Sequence, residues 1–157
     1  MTSDELQRLL DQYAAGIEAE LTLLHQLAAV ADRQHDASGA GDIGALQDAA
    51  ERRDEIMRSL VTLEDGLRSV RQVLAEHRES AARIDGFDRV MTRHREAAEL
   101  VSGILSTDRA SLAALADAEL ARRSAVASLE RGESTLACYR RVLTPPVASA
   151  TLVNRRG

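Results

Sequence analysis

The chain begins with an apolar stripe at helical spacing. From Leu6 to Ala31, apolar side chains recur at steps of three and four residues, the period of one face of an amphipathic α-helix. Thr2 and Glu5 have capping-box spacing, so we predict a first helix over residues 3–36. Further leucines widen the stripe, which indicates more than one partner helix. The members are Leu6, Leu10, Tyr13, Ile17, Leu21, Leu24, Ala28 and Ala31.

A glycine-containing interruption separates this stripe from a second one. Gly39 and Gly41 predict a loop over 36–42, with Asp42 as the N-cap of a second helix over residues 43–85. This helix has the most regular heptad pattern in the chain. Arg53 stands in its seam, where a charged residue fixes the register at some cost in stability. The two sets of seam positions are Leu46, Arg53, Leu60, Leu67, Leu74 and Ala81, and Ala49, Ile56, Leu63, Val70, His77 and Ile84.

A third heptad pattern follows Gly86. We predict a turn there, with Asp88 as the N-cap of a helix over residues 88–142, and the alternative is one kinked helix through this region. The last turns of so long a helix are expected to extend past helices 1 and 2 without a partner. The seam members are Phe87, Met91, His94, Ala98, Val101, Leu105, Asp108, Leu112, Leu115 and Glu119, continued more weakly through Val126, Leu129, Leu136 and Leu143.

These patterns predict an all-α fold: an elongated antiparallel three-helix bundle or coiled coil, forming a single domain over residues 1–144. Pro145 and Pro146 end helical structure, and residues 145–157 are predicted to be a disordered basic tail. Composition supports helices, because Ala, Leu, Arg and Glu supply 81 of the 157 residues. Only three aromatic residues are present, fewer than a compact β or α/β core normally uses.

Charge narrows the possible partners. The net charge is −5, and it is divided unevenly, because no acidic residue follows Glu133 whereas four of the 20 arginines do. An acidic body repels nucleic acid, so we expect no nucleic-acid partner, and the basic tail favours an acidic one. No apolar run is long enough to span a bilayer, and the N-terminus does not resemble a signal peptide. We therefore expect a cytoplasmic protein without membrane insertion.

The sequence offers no candidate for catalysis. Cys138 is the only cysteine, so there is no disulfide or Cys-x-x-Cys pair, and no nearby histidine would activate its thiol. None of the four histidines follows a glutamate at the spacing used by bundle di-metal sites. The glycines of the 36–42 loop follow no strand, which argues against a phosphate-binding loop. We therefore predict no catalytic residue, no metal site, no cofactor and no enzyme activity.

The end of the third helix is the candidate binding segment. Tyr139, Val142 and Leu143 are apolar residues that the bundle has no means to bury, a pattern typical of a docking segment for another protein. Tyr139 is either an anchor that contacts a partner or a side chain that packs locally on its own helix.

Two stretches resemble the FlgN-type chaperones of flagellar export. The Gly41-Asp42 pair, followed by Leu46 and a charged, leucine-seamed stretch to Leu60, is similar to the loop and second helix of that family. The C-terminal stretch also resembles this group. Its matching segments are Leu129-Glu-Arg-Gly, Cys138-Tyr139, Pro145-Pro146 and Val153–Gly157.

The resemblance implies a cytoplasmic chaperone of type III flagellar export. Such proteins hold the hook-associated junction proteins and deliver them to the export gate. By the same resemblance, the cargo's amphipathic terminal helix would pack on the last helix, and Tyr139 matches a family tyrosine linked to export-gate docking. The cargo-binding residues would be Val126, Leu129, Leu136, Tyr139, Val142 and Leu143.

Three other functions remain open. The FliT-like chaperones, which serve the filament cap protein, are similar in size and layout. A homo-oligomeric coiled-coil structural protein would bury the stripes in a homodimer seam. A regulator that binds a transcription factor or nucleic acid is the third, and the acidic body argues against its direct contact with nucleic acid.

We expect the amides from about residue 126 onward to be poorly protected from hydrogen exchange in the free protein, because no partner helix is expected there. Exchange measured by mass spectrometry on the isolated monomer checks this. Strong protection of that segment in a monomer would contradict a docking role.

Overall fold

The structure, a computed structural model, describes residues 1–143, except for the side chain of Leu143. It contains α1 (Ser3–Ala40), α2 (Ile43–Glu76), α3 (Arg78–Ala81) and α4 (Phe87–Leu143). No strand occurs in this part of the chain, so the predicted all-α bundle class is confirmed. The diproline stop and the predicted tail over 145–157 lie outside the described residues.

The first helix begins as predicted but ends later. The Thr2 hydroxyl accepts from the Glu5 amide at 3.2 Å, and the Glu5 carboxylate accepts from the Thr2 amide at 2.7 Å, which completes the capping box. The predicted end at residue 36 is wrong. The helix continues to Ala40 because only Gly41, at φ 67°, takes the left-handed conformation that stops it. Asp42 caps α2 as predicted, accepting from the Ala45 amide at 3.0 Å.

The second helix ends earlier than predicted. The helical conformation ends at Glu76 because His77 has φ −108° and ψ 27°. The short helix α3 follows directly. The turn at Gly86 is confirmed by its φ of 88°, which excludes a single kinked helix. Asp88 is not the N-cap as predicted, because α4 begins at Phe87 and Asp88 lies in its first turn.

The chain divides into two units, Met1–Leu115 and Ala116–Gly157. In the first unit, α1 and α2 are antiparallel, since Gln34 contacts Arg53 near the end of α1 and the start of α2. The first part of α4 runs parallel to α1, as the contacts of Tyr13 with His94 and of His35 with Ser111 show. The described part of the second unit consists of residues 116–143 of α4. That residues 1–144 form one domain stays a prediction.

The core of the first unit follows the α1 stripe. All of its predicted members are buried except Ala28, which is partly buried and packs against the core. The α2 seam is likewise directed inward, with Ile56, Leu67 and Val70 buried. α4 completes both parts of the core through Val90, Ala97 and Ile104.

The predicted seam of α4 is wrong by one residue. Each buried position comes one residue before the predicted one. A shift of one residue corresponds to a rotation of about 100° around the helix axis. With this rotation, His94 and Asp108 lie at the rim of the bundle, where their polar groups find partners instead of being desolvated. The buried positions are Val90, Ala97, Ile104 and Ser111, in place of Met91, Ala98, Leu105 and Leu112.

We expect Gly16→Ala to destabilise the protein, although alanine has the higher helix propensity. A Cβ at position 16 would overlap the buried Leu67 side chain, whose Cγ would lie 2.9 Å away. Overpacking of this kind outweighs the propensity gain, for a net loss of about 1–2 kcal/mol.

The matched control is Gly66→Ala, because a Cβ at position 66 meets no atom within 4 Å. This substitution should raise the free energy of unfolding by up to about 1 kcal/mol. Urea unfolding of the two variants checks both signs, and a stabilised Gly16→Ala protein would contradict the packing at Leu67.

Candidate functional site

The predicted binding residues lie on the described part of the second unit. Leu129 is 74% exposed and Tyr139 is 62% exposed, and their apolar neighbours on this stretch are exposed as well. We call this set the C-terminal apolar surface; it consists of Val126, Leu129, Leu136, Tyr139 and Val142. Leu143 belongs to the same prediction, and its side chain lies outside the description.

Leu129 and Leu136 give the centre of the C-terminal apolar surface the geometry of a helix-binding strip, whereas Val142 lies about 140° around the helix axis from Leu129. Leu129 and Leu136 are seven residues apart, so they lie on the same side of the helix two turns apart. Small residues, Gly132 and Ala137, lie between and beside them. Leu120 is also exposed, but it lies about half a turn around the helix axis from Leu129. This strip therefore offers apolar contacts, and not reactive groups, to a partner.

A polar cluster in the core of the first unit was not predicted. Glu20 is only 5% exposed, and no hydrogen-bond donor reaches its Oε1. The nearest cation is Arg71, whose Nη2 lies 3.7 Å from that oxygen. Arg71 instead donates two hydrogen bonds to Glu64, at 2.7 and 2.8 Å. Glu20 is therefore a buried carboxyl with an incomplete set of partners.

Two rings border this cluster. The Arg71 guanidinium lies 5.7 Å from the centre of the Tyr13 ring, within the range of a cation–π contact. The Tyr13 hydroxyl and His94 Nδ1 are joined by a hydrogen bond of 3.1 Å. The arrangement ties α1, α2 and α4 together through polar groups.

The environment shifts the pKa values of the Glu20 and Glu64 carboxyls in opposite directions. Burial raises the pKa of Glu20 to about 7, and the neighbouring Glu64 carboxylate adds to the shift. The hydrogen bonds from Arg71 hold the pKa of Glu64 well below its usual range. The sequence did contain one signal of this site: Glu20 lies three residues after Ile17 and four before Leu24, inside the apolar stripe.

A second polar contact joins one side chain from each of the three long helices. Arg53 donates two hydrogen bonds to Asp108, at 2.8 and 2.6 Å, and a third to Gln34 at 2.9 Å. Arg53 and Asp108 were both predicted as seam residues, and their pairing was not predicted. Both side chains are about a quarter exposed, so this pair fixes register without full desolvation.

An open groove of about 330 Å³ lies between α2 and α4 in the first unit, and we call it the α2–α4 groove. Its apolar lining includes Leu24, Leu60 and Val101, and its polar lining is Glu20, Glu64, Arg71 and His94. The side chain that carries the buried carboxyl therefore borders an open groove.

Among residues 1–143, no group of three histidine, cysteine, aspartate or glutamate side chains is placed to hold a metal ion. Within the same residues, no helix combines the length and the apolar character needed to cross a bilayer. Cys138 is exposed and forms no disulfide.

Comparison with protein-family models, curated proteins and solved structures finds no match to this chain.

We expect Glu20→Gln to stabilise the protein at pH 8 and not at pH 5. A carboxyl with a pKa of about 7 in the folded state and 4.5 in the unfolded state lowers stability as the pH rises between these values. Glutamine keeps the shape and does not ionise, so the variant should gain about 3 kcal/mol at pH 8.

Urea unfolding at the two pH values measures this difference. The control is Glu51→Gln, which removes an exposed carboxyl of α2 and should leave the pH dependence unchanged. Equal stability of wild type and Glu20→Gln at pH 8 would show that Glu20 is not held in an unfavourable environment.

Proposed function

We propose that this chain is a cytoplasmic chaperone of the FlgN type, which holds hook-associated junction proteins of the flagellum and delivers them to the type III export gate. The observation that supports this most directly is the C-terminal apolar surface. Large apolar side chains are exposed there at positions that a helical partner would cover. The resemblance of Gly41–Leu60 to that family supplies the identity of the cargo.

In this proposal the cargo's amphipathic terminal helix packs along the C-terminal apolar surface. Each exposed leucine that becomes buried contributes roughly 2 kcal/mol, so Leu129 and Leu136 supply the central contacts. Tyr139 adds a rigid anchor with a hydroxyl that bonds at the edge of the interface. Covering the cargo's apolar face keeps it from aggregating before export.

Tyr139 has a second role in the proposal, as the candidate contact with the export gate. Its side chain is exposed, so it is accessible to a gate component when no cargo covers it. The neighbouring arginines, Arg140 and Arg141, favour an acidic surface on that component.

The same surface also suits a homodimeric coiled coil, because exposed leucines two turns apart pack against any helix of matching pattern. A FliT-like chaperone of the filament cap protein would use it in the same way. The identity of the bound protein separates these candidates.

We expect the double variant Leu129→Asp/Leu136→Asp to lose its cargo in pull-downs from extracts of the native cells. Burying two carboxylates against an apolar helix is unfavourable, so recovery should fall at least about tenfold, which corresponds to a loss of about 1.4 kcal/mol or more. The matched control is Leu120→Asp on the opposite side of the same helix, which should bind as wild type.

Recovery of hook–filament junction proteins by wild type and by the control supports the proposal. Recovery of the cap protein instead identifies a FliT-like chaperone. If only the chain itself is recovered and its sedimentation mass doubles, the coiled-coil scaffold replaces the chaperone. A Tyr139→Ala variant that recovers less cargo than wild type but recovers no gate component at all would assign the docking role to that tyrosine.

A further inference from the structure

α4 has an apolar face that the bundle does not use. The heptad positions predicted as its seam include Val101 and Leu105, and these side chains are exposed, Val101 at 42%. Ala98 and Val101 line the α2–α4 groove, and Leu105 lies one turn further along the same face. A heptad stripe left open by its own bundle is a surface that suits another helix.

The opposite wall of the groove has a matching apolar face. Met57, Leu60, Val61 and Glu64 are spaced as i, i+3, i+4 and i+7, so they share one side of α2. Leu60 and Glu64 line the groove, and Met57 and Val61 are exposed, Val61 at 56%. Two antiparallel helices therefore border one groove, α4 with Ala98 and Val101, and α2 with Leu60 beside Glu64 and Arg71.

The floor of the groove lacks one positive charge. Glu20 and Glu64 contribute two carboxyls, and Arg71 contributes one guanidinium, which donates two hydrogen bonds to Glu64. The same guanidinium lies 3.7 Å from Glu20 Oε1, and its buried Nε has no hydrogen-bond partner. His94 is held by the Tyr13 hydroxyl. Glu20 Oε1 is buried, accepts no hydrogen bond, and belongs to a side chain that lines the groove. One donor, preferably cationic, would complete this set of partners.

We propose that the α2–α4 groove binds an amphipathic helix of another protein, and that one lysine or arginine in the apolar face of that helix pairs with Glu20. The apolar walls bind the helix, and the buried carboxyl selects it by charge. This site is separate from the C-terminal apolar surface and does not depend on the proposed chaperone function.

Charge complementarity favours such a partner over a second copy of the chain. A two-fold dimer whose axis passes through this groove would bring two identical clusters together, each with two carboxyls and one guanidinium. Each cluster would meet like charge without gaining a cation, which is unfavourable in a desolvated interface. A foreign helix with a basic residue avoids this cost.

Binding should be linked to proton release. The groups that face Glu20 are Tyr13 on its own helix, Glu64 and Arg71 on α2, and His94 on α4. A cation at Glu20 stabilises its charged form, so the complex binds fewer protons than the free protein. With a pKa of about 7 in the free protein, affinity should fall about tenfold from pH 8 to pH 6.

The test uses the full chain and two synthetic amphipathic helical peptides with leucine at the heptad a and d positions. One peptide has lysine at its central a position and the other has norleucine. Fluorescence anisotropy at pH 8 should show about tenfold tighter binding of the lysine peptide, equivalent to about 1.4 kcal/mol. Glu20→Gln should remove both this preference and the pH dependence.

Two further variants control for the groove itself. Val101→Asp places a charge on the exposed wall and should weaken both peptides about tenfold or more. Ile43→Asp makes the same change at an exposed residue near the start of α2, well away from the groove, and should bind as wild type. His94→Gln removes the imidazole that lines the groove beside Glu20, and it should retain the pH dependence if Glu20 is its source.

The proposal is overturned if neither peptide binds, if both bind equally, or if Glu20→Gln keeps the lysine preference. It is also overturned if the wild-type chain sediments as a dimer that Val101→Asp converts to a monomer, since a second copy would then occupy the groove. Circular dichroism of each variant verifies that the helices are intact.

Discussion

The contact among Gln34, Arg53 and Asp108 determines which side of α4 faces the bundle. It takes one side chain from each long helix, and Arg53 holds both oxygens of Asp108. If α4 were rotated by about 100° so that its predicted seam faced the bundle, Asp108 would lie between the helices. Its charge would then be desolvated. The observed rotation keeps that carboxylate at the rim with its partner, and it directs Val90, Ala97 and Ile104 into the core.

This rotation has a consequence for binding. The apolar face of α4 that carries Val101 and Leu105 is turned away from α1 and stays exposed beside α2. In the first unit, the most regular heptad stripe of α4 is therefore available to a further helix. The second unit exposes its own apolar residues, Leu129 and Leu136 among them, so α4 offers unpartnered apolar surface in both units.

How far the sequence predicts the structure depends on how apolar each stripe is. The stripe of α1 contains no charged member, and its burial was predicted at nearly every position. On α4 the predicted stripe included His94 and Asp108, and hydrophobic periodicity alone does not reveal that these residues have partners on other helices. The Glu20 cluster was missed for the same reason, because its pairing joins residues distant in sequence. The C-terminal binding residues stay a prediction, which rests on their apolar character; the described ones are exposed.

Glu20 and the exposed wall of the groove are two departures from the most stable arrangement, and they meet at one place. A buried carboxyl without a donor lowers stability above its normal pKa, and exposed Val61 and Val101 forgo burial. Departures from local consistency are expected where a protein binds something. A bound helix that carries one basic residue would remove both departures. Its apolar side chains would cover Val61 and Val101, and its cation would pair with the Glu20 carboxylate. Neither a core substitution nor a homodimer achieves both, since the first leaves the walls exposed and the second adds no cation.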